Sequence, residues 1–411
     1  MLRRLDYSWV ILATGFVVLF FSGGSRFALA LMLKPMTDEL GWSRSSVSLA
    51  VTCFMVVSAL AFPVVGRLVD RYSLRWVLGA GAALTALGIG LMGRVTAPWQ
   101  VFLVYGLVYA MGHAGTSVPA VGVMVSRWFV RSRGVANSVA VAGNAVGQMV
   151  IIALLAASLI RMGWRTSYTV LGAINLAIVV PLVLAAARSR PPQCPGGGVE
   201  TADDGQKQLP AEGSVWPNSL LRSRQLWLLG VIYTACGFQD FFVATHVVAF
   251  ALDREVGTVL AGNVLALMGL MGLVGVLSAG VLADVFGPAR PTAVCFLIRI
   301  AIFTFIIYFQ NTPAIVTFAL LYGFTFLITA PLTVVFASNI FGPARLGTVS
   351  GIISMVHQVA GGMGALAGAW IFDRWGSYDR AFVLMLGLAF VALAATLLVQ
   401  RKPLGLAEEE T

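Results

Sequence analysis

Charged residues are scarce in this chain of 411 residues, and their scarcity excludes most classes of protein. Only 11% of the residues are Asp, Glu, Lys or Arg, whereas 59% are hydrophobic and the mean hydropathy is +0.89. A soluble domain needs a polar surface that this composition does not supply. Apolar windows of about 20 residues, the length that crosses a bilayer, recur along nearly the whole chain. We therefore predict an all-α integral membrane protein.

Motifs for chemistry are also missing. The chain has no Walker phosphate-binding loop, no His-x-x-x-His metal pair and no soluble domain to hold a Ser/His/Asp set. The only long polar stretch, 188–225, is too short and too polar to form the output domain of a receptor. Four cysteines, with no metal-ligand spacing, are expected to be free thiols: Cys53, Cys194, Cys236 and Cys295. The sequence thus argues against an enzyme or a receptor, and no cofactor or metal is expected.

Twelve apolar spans are predicted, and they fall into two groups of six. Their approximate limits are 8–33, 45–69, 75–93, 99–126, 134–160, 166–187, 226–251, 259–283, 290–310, 313–340, 347–372 and 379–400. The polar stretch 188–225, rich in Gly, Pro and charge, separates the sixth span from the seventh. We predict two pseudo-symmetric six-helix bundles, 1–187 and 226–411, joined by a linker.

Basic residues are distributed unevenly between the two sides of these spans. The net charge is +10, and seventeen of the 27 Lys and Arg fall on one side, eight on the other, and Arg26 and Arg299 inside spans. An excess of Lys and Arg marks the cytoplasmic side of a membrane protein. We therefore predict a multi-pass protein of a bacterial-type inner membrane, monomeric, with both termini cytoplasmic. The positive charge then faces the lipid bilayer's inner surface and does not indicate a nucleic-acid partner.

A short loop motif occurs twice, 214 residues apart. The first copy is GRLVDRYSLRW, from Gly66 to Trp76, and the second is GVLADVFGPAR, from Gly280 to Arg290. A glycine lets two helices approach closely, and an Asp four residues on can cap a helix or pair with an Arg. Such a contact forms a latch that opens when two bundles rock. We predict a gating motif made of Gly66, Asp70, Arg71, Gly280 and Asp284.

Two further segments carry a family resemblance. Beside the loop motif and the six-plus-six layout, the chain has two further recognisable segments. They are KPMTDELGWSR, from Lys34 to Arg44, and the tripeptide Gly163-Trp164-Arg165. Together they resemble the major facilitator superfamily, and more narrowly its monocarboxylate porter and oxalate/formate antiporter branch. The resemblance implies alternating access and small organic anions as substrates.

The resemblance carries over at one position and fails at two others. Arg26 falls where animal monocarboxylate porters have a first-span Lys that receives substrate and proton. Those porters also have an Asp and an Arg in the eighth span, where this chain has Gly272 and Val276. The branch's carboxylate-binding pair is therefore absent, and the resemblance leaves the substrate and the coupling ion open.

Ionisable groups inside the first six spans are few, and each costs about 2.5–3.5 kcal/mol at a span centre. Arg26 follows Ser22, Gly23 and Gly24, and its planar guanidinium suits a carboxylate. It either binds substrate or extends toward the outer surface. His113 lies in the fourth span on a polar helix face, so it either lines a cavity or bonds a neighbouring helix.

Near their centres, the last six spans hold one carboxylic acid, Asp240, and one arginine, Arg299. Asp240 in the seventh span either carries a proton or forms a fixed ion pair with Arg299 in the ninth. Arg299 acts either in coupling or as a structural anchor. Gln239 and His246 share one face of the seventh helix, whereas Asp240 lies about 120° from His246.

These groups predict a positive cavity that selects an anion. The expected substrate-binding residues are Arg26, His113, Gln239, His246, Tyr322 and His357, and the expected proton-coupling residues are Asp240 and Arg299. His357 either faces this cavity or bonds locally. The leading hypothesis is a secondary transporter that moves a monocarboxylate, such as lactate or pyruvate, together with protons. The alternatives are an organic-anion exchanger and an efflux pump for drugs or metabolites.

Overall fold

The structure is a computed structural model that describes residues 2–42, 44–188, 220 and 222–399. Within these residues twelve helical spans are long and apolar enough to cross a membrane, and no strand occurs. We label them α1 (Leu2–Leu40), α2 (Arg44–Arg71), α3 (Leu74–Met92), α4 (Pro98–Trp128), α5 (Arg133–Leu159), α6 (Arg161–Ala186), α7 (Arg224–Asp253), α8 (Thr258–Phe286), α9 (Ala289–Tyr308), α10 (Thr312–Phe341), α11 (Leu346–Trp375) and α12 (Asp379–Leu398). The predicted all-α membrane fold is confirmed.

Helix ends follow local sequence signals. Helix α1 runs seven residues beyond its predicted end and stops before Gly41, whose φ of 66° is in the left-handed region. No loop separates α5 from α6: one continuous helix covers the boundary, and Gly163, which lies just after the start of α6 and has a φ of 72°, introduces a kink. Helix α4 contains a π-helical stretch, Phe102–Tyr109, and breaks at Thr116 and Ser117, just before Pro119.

The same helix pairings occur in each group of six. In the first group α1 packs on α5, α2 on α4 and α3 on α6; in the second, α7 packs on α11, α8 on α10 and α9 on α12. The repeated pairing agrees with the predicted two-fold plan. Residues 189–219 and 221 of the predicted linker lie outside the described residues, so the domain limits stay a prediction.

The two groups meet through α2 with α11, α5 with α8 and α4 with α10. These contacts include the helix ends that carry Asp70 and Asp284, and we call that side of the molecule the Asp70 face. The opposite side, which carries Glu39 and Asp379, is the Glu39 face. Close backbone approach at small residues joins the groups at the Asp70 face, as the loop motif predicts.

Candidate functional site

The first copy of the loop motif joins α2 to α11. The carbonyl oxygen of Gly347 occupies the space where a Cβ on Gly66 would lie, so only glycine fits there. One carboxylate oxygen of Asp70 accepts a hydrogen bond from the Gly347 backbone N–H at 2.9 Å; the other accepts from the Thr348 N–H at 2.7 Å and the Thr348 hydroxyl at 2.8 Å. A carboxylate therefore caps the first turn of a helix in the other group, where orphan N–H groups and the helix dipole favour an anion.

The second copy repeats this contact with the groups exchanged. Asp284 accepts hydrogen bonds from the backbone N–H groups of Gly134 (2.6 Å) and Val135 (2.9 Å) at the start of α5. A Cβ on Gly280 would overlap the Gly134 carbonyl and the Ser138 side chain. Each group thus caps one helix of the other, and the pair closes the Asp70 face.

The arginine that lies beside Asp70 in this structure is Arg127, and the predicted gating role of Arg71 stays a prediction. Arg71 is exposed and makes no ion pair with another residue that the structure describes. Instead Arg127, at the end of α4, lies 3.7 Å from Asp70 and also donates to the Val69 carbonyl. In α2, Asp70 and Arg71 are consecutive and so point about 100° apart, which prevents both from facing α11.

Arg26 lies on α1, in the first group. The side chain is partly buried, and its guanidinium has no carboxylate within ion-pair distance and no hydrogen bond among the described residues. It lies 5.7 Å from the ring centre of Phe241 on α7, so it reaches the boundary between the two groups. A cation left without a counter-ion at this depth is available for an anionic ligand.

His113 lies beside this arginine. Its Nδ1 shares a 3.2 Å hydrogen bond with the hydroxyl of Ser22, one helical turn before Arg26 on α1. Its ring packs against those of Phe54 and Tyr109. The bond to a neighbouring helix is therefore present, and it also holds the imidazole next to the cation.

The second group contains a buried ion pair between Arg299 and Asp240, in which each charge has a partner of opposite sign. Arg299 is fully buried, and it donates to Oδ1 of Asp240 at 2.7 Å. It also donates to the Gln239 amide oxygen at 2.9 Å and to the hydroxyl and carbonyl of Thr325. Tyr322 donates its hydroxyl to the same carboxylate oxygen at 2.9 Å. Asp240 and Arg299 are therefore paired in this conformation, and the choice between a proton carrier and a pair held throughout the cycle stays a prediction.

His357 connects the ion pair to the boundary between the groups. Its Nε2 lies 3.6 Å from Oδ2 of Asp240, while 27% of its side chain remains exposed. The ring packs against Phe241, which in turn contacts Arg26. A continuous row of side chains thus runs from the free cation of α1 to the ion pair of α7 and α9.

The structure does not bring all the predicted ligands to this row. His246 bonds the Tyr378 hydroxyl through Nδ1 (3.2 Å) and the Ala365 carbonyl through Nε2 (2.9 Å), toward the Glu39 face. Gln239 and Tyr322 are both fully buried, and both bind the ion pair. These three side chains support α7, α10 and α11 in this conformation, and their predicted contact with substrate stays a prediction.

Several residues of the site escaped the sequence analysis. Cys236 lies four residues before Asp240 on α7, and helical spacing places both on one face; that spacing was a usable signal. Phe241 and Thr325 carried no signal, because an aromatic or a threonine in a span is ordinary. Arg127 is distant in sequence from Asp70, so only the packing of α4 against α2 reveals the pair.

On the Glu39 face a separate contact joins α1 to α6. Glu39 accepts hydrogen bonds from the Trp164 indole at 2.6 Å and from Arg165 at 3.0 Å. The hydrogen bond from Arg165, followed by that from Trp164, holds the pKa of Glu39 below its usual value. Both motif segments that carried the family resemblance therefore meet in one place.

Comparison with known proteins agrees with this architecture. The model of the Major Facilitator Superfamily matches residues 15–365 and 247–410. An uncharacterized MFS-type transporter of Bacillus subtilis, YcxA, is 25% identical over 396 residues, covering 95% of this chain and 94% of its own. Monocarboxylate transporter 12-B of Danio rerio is 22% identical (96% and 86% covered), and monocarboxylate transporter 4 of Mus musculus is 22% identical (92% and 80%).

Solved structures show the same fold at low identity. The E. coli fucose:proton symporter FucP aligns with a TM-score of 0.74 at 17% identity, covering 95% of this chain and 98% of that chain. The human organic anion transporter MFSD10 aligns with a TM-score of 0.70 at 16% identity, covering 95% and 99%. With twelve spans, paired helix caps and a family match over nearly the whole chain, this protein belongs to the major facilitator superfamily and is a multi-pass membrane transporter, not an enzyme.

Proposed function

We propose that this transporter carries a small organic anion of the monocarboxylate class, such as lactate or pyruvate, by alternating access with proton symport. The observation that supports the substrate charge is Arg26, a cation between the two helix groups that lacks a counter-ion among the described residues. A guanidinium presents paired donors to a carboxylate, and binding removes the cost of an isolated charge in the membrane.

The surrounding side chains support an anion with a short apolar part. The ring centres of Phe27 and Phe241 both lie 5.7 Å from the guanidinium carbon of Arg26. His113 and His357 lie on either side of this region. Aromatic walls accommodate an apolar tail while the cation holds the carboxylate. The relatives named as monocarboxylate transporters support the same class.

For proton coupling we assign Asp240, with Arg299 as its fixed partner and His357 as its contact with the boundary. Oδ1 of Asp240 accepts hydrogen bonds from Arg299 and Tyr322, whereas Oδ2 accepts only the weak bond of the Cys236 thiol at 3.3 Å and lies beside His357, so Oδ2 is the oxygen that a proton can reach. Substrate and proton then bind on opposite helix groups, and rocking exposes both together. We further propose that both termini are cytoplasmic, on the basis of the uneven Lys and Arg distribution, and that the protein is a monomer in a bacterial-type inner membrane.

The experiment is uptake of radiolabelled lactate, pyruvate, formate and oxalate into proteoliposomes, with and without an inward proton gradient. Symport predicts uptake that an acidic exterior stimulates, with no internal anion needed. Uptake that depends on internal anion instead would identify an exchanger and refute symport. Absence of carboxylate transport under either condition would refute the anion assignment itself.

Two variants test the coupling assignment within the same assay. Asp240→Asn should remove the stimulation by the proton gradient, but it leaves Arg299 buried without its partner, a change that costs about 3–5 kcal/mol in soluble proteins. His357→Asn preserves the ion pair and should weaken the stimulation with little loss of thermal stability. Proton stimulation that persists in both variants contradicts the assignment.

A further inference from the structure

Three metal-binding side chains converge beside the ion pair. Cys236 and Asp240 of α7 and His357 of α11 each offer one donor atom, and the three atoms lie within 4.8 Å of one another. Sγ of Cys236 is 3.3 Å from Oδ2 of Asp240, and Nε2 of His357 is 3.6 Å from the same oxygen. We propose that these residues form a binding site for a borderline-soft divalent cation, with Zn²⁺ as its best representative.

Two of the three separations between the donor atoms match the edges of a tetrahedral zinc site, and the third, between Cys236 and His357, is within 4.8 Å. Zinc bonds are about 2.3 Å to thiolate and about 2.0–2.2 Å to imidazole and carboxylate, so ligand atoms in a tetrahedron are about 3.3–3.7 Å apart. The two measured separations are 3.3 and 3.6 Å. One thiolate, one imidazole and one carboxylate also form a donor set that favours zinc over Mg²⁺ or Ca²⁺.

The oxygen of Asp240 that would bind the metal is Oδ2, to which we also assign the coupling proton, so metal and proton compete for it. Arg299 and Tyr322 bind Oδ1, which fixes the carboxylate, whereas Oδ2 points at the thiol and the imidazole. Such outer partners orient a metal ligand. Binding replaces the thiol proton of Cys236 with the metal and releases that proton to water.

The net charge of the site indicates which kind of fourth ligand the metal would bind, and the exposure of His357 indicates where that ligand would lie. The thiolate, the carboxylate, the Arg299 cation and a divalent metal sum to one positive charge, which a small anion neutralises. His357 is the one of the three that is partly exposed, so the open position lies on its side, toward Arg26 and Phe241. A bound metal therefore takes chloride or a carboxylate there and links α7 to α11.

The test uses cobalt(II) and zinc on the purified full-length protein in detergent, after removal of any histidine tag. Cobalt bound to a thiolate gives a near-ultraviolet charge-transfer band, which reports the Cys236 ligand without any transport assay. We expect about one cobalt per chain with this band, and its displacement by zinc. Absence of the band in the parent protein would overturn the proposal.

Matched variants identify the ligands. Cys236→Ser should abolish the band, and His357→Asn should keep a weaker band while zinc binding falls by more than about tenfold. Cys295→Ser is the control, because Cys295 is equally buried but bonds the Thr325 carbonyl instead. A charge-transfer band that survives in Cys236→Ser, or that is lost in Cys295→Ser, contradicts the proposed site. Because His357 is partly exposed, His357→Asn tests the site even if Cys236→Ser does not fold.

Discussion

At the scale of single residues, the two arginines inside the spans have opposite environments. Arg299 is fully buried, and each of its nitrogen atoms donates a hydrogen bond. The acceptors are Asp240, Gln239, Thr325 and Cys236. Arg26 has a ring contact to Phe241 but no anionic partner among the described side chains. The satisfied arginine holds helices together, and the unsatisfied one is suited to a ligand that enters and leaves.

This contrast leads to a prediction for Arg26. Replacing Arg26 with Gln removes a charge-assisted contact worth about 1.5–3 kcal/mol, so carboxylate affinity should fall about 10- to 100-fold. Arg26→Lys keeps the charge but loses the paired donors, so its carboxylate affinity should lie between those of the parent protein and Arg26→Gln. Carboxylate binding to the purified protein, measured by calorimetry, provides the comparison. Arg94→Gln, at an exposed position, is the control, and equal affinity in Arg26→Gln and the parent would contradict the role.

At the scale of helices, close approach depends on glycine where a backbone carbonyl of one helix occupies the place that a Cβ on the other helix would need. Gly66 and Gly347 contact each other's backbone on α2 and α11, and Gly134 and Gly280 do so on α5 and α8. Helices this close place the caps of Asp70 and Asp284 within hydrogen-bond reach. The element pairings therefore follow from small residues more than from apolar area, since lipid is as apolar as leucine.

Gly66→Val should prevent this approach. The added side chain overlaps the Gly347 carbonyl, so α2 and α11 must separate at the Asp70 face. We expect faster labelling of a cysteine introduced at Thr348, whose hydroxyl is bonded to Asp70 in the closed contact. Gly230→Val is the control, because its Cβ would meet no other atom within 4 Å. Labelling that is no faster than in the control would show that the contact tolerates a side chain.

At the scale of the whole molecule, closure of the Asp70 face is shared by two caps related by the repeat. Each consists of one carboxylate on two backbone N–H groups of the other helix group. Because the caps lie in different helix pairs, they act in parallel on the same rocking equilibrium. Loss of one leaves the other in place.

Asp70→Ala and Asp284→Ala, which remove the capping oxygens, should therefore each weaken closure, and the double variant should weaken it further. An N-terminal cap is worth about 0.5–2 kcal/mol, so each single change should shift the open-to-closed ratio about 2- to 30-fold. Distance measurements between spin labels on the ends of α2 and α11 would report the populations. An Arg71→Gln variant should leave the ratio unchanged, and a shift there as large as for Asp70 would contradict the role of Arg127.

The sequence by itself determined the membrane class, the twelve spans, the repeat and the list of buried ionisable groups. It did so because bilayer thickness fixes span length and because an intramembrane charge is too costly to occur without a reason. It also identified Asp70 and Asp284, since a repeated motif marks related positions in two halves.

Only the tertiary structure decided which of these groups meet. Helical periodicity gives the direction of a side chain on its own helix but not the helix it faces, so the partners of Arg299 and the isolation of Arg26 depend on how α1, α7 and α9 pack. The surroundings of His246 also depend on packing. The sequence predicts it among the substrate-binding residues, whereas in the structure it bonds the Tyr378 hydroxyl. Contacts between residues far apart in the chain depend on the arrangement of whole helices, and no local pattern encodes it.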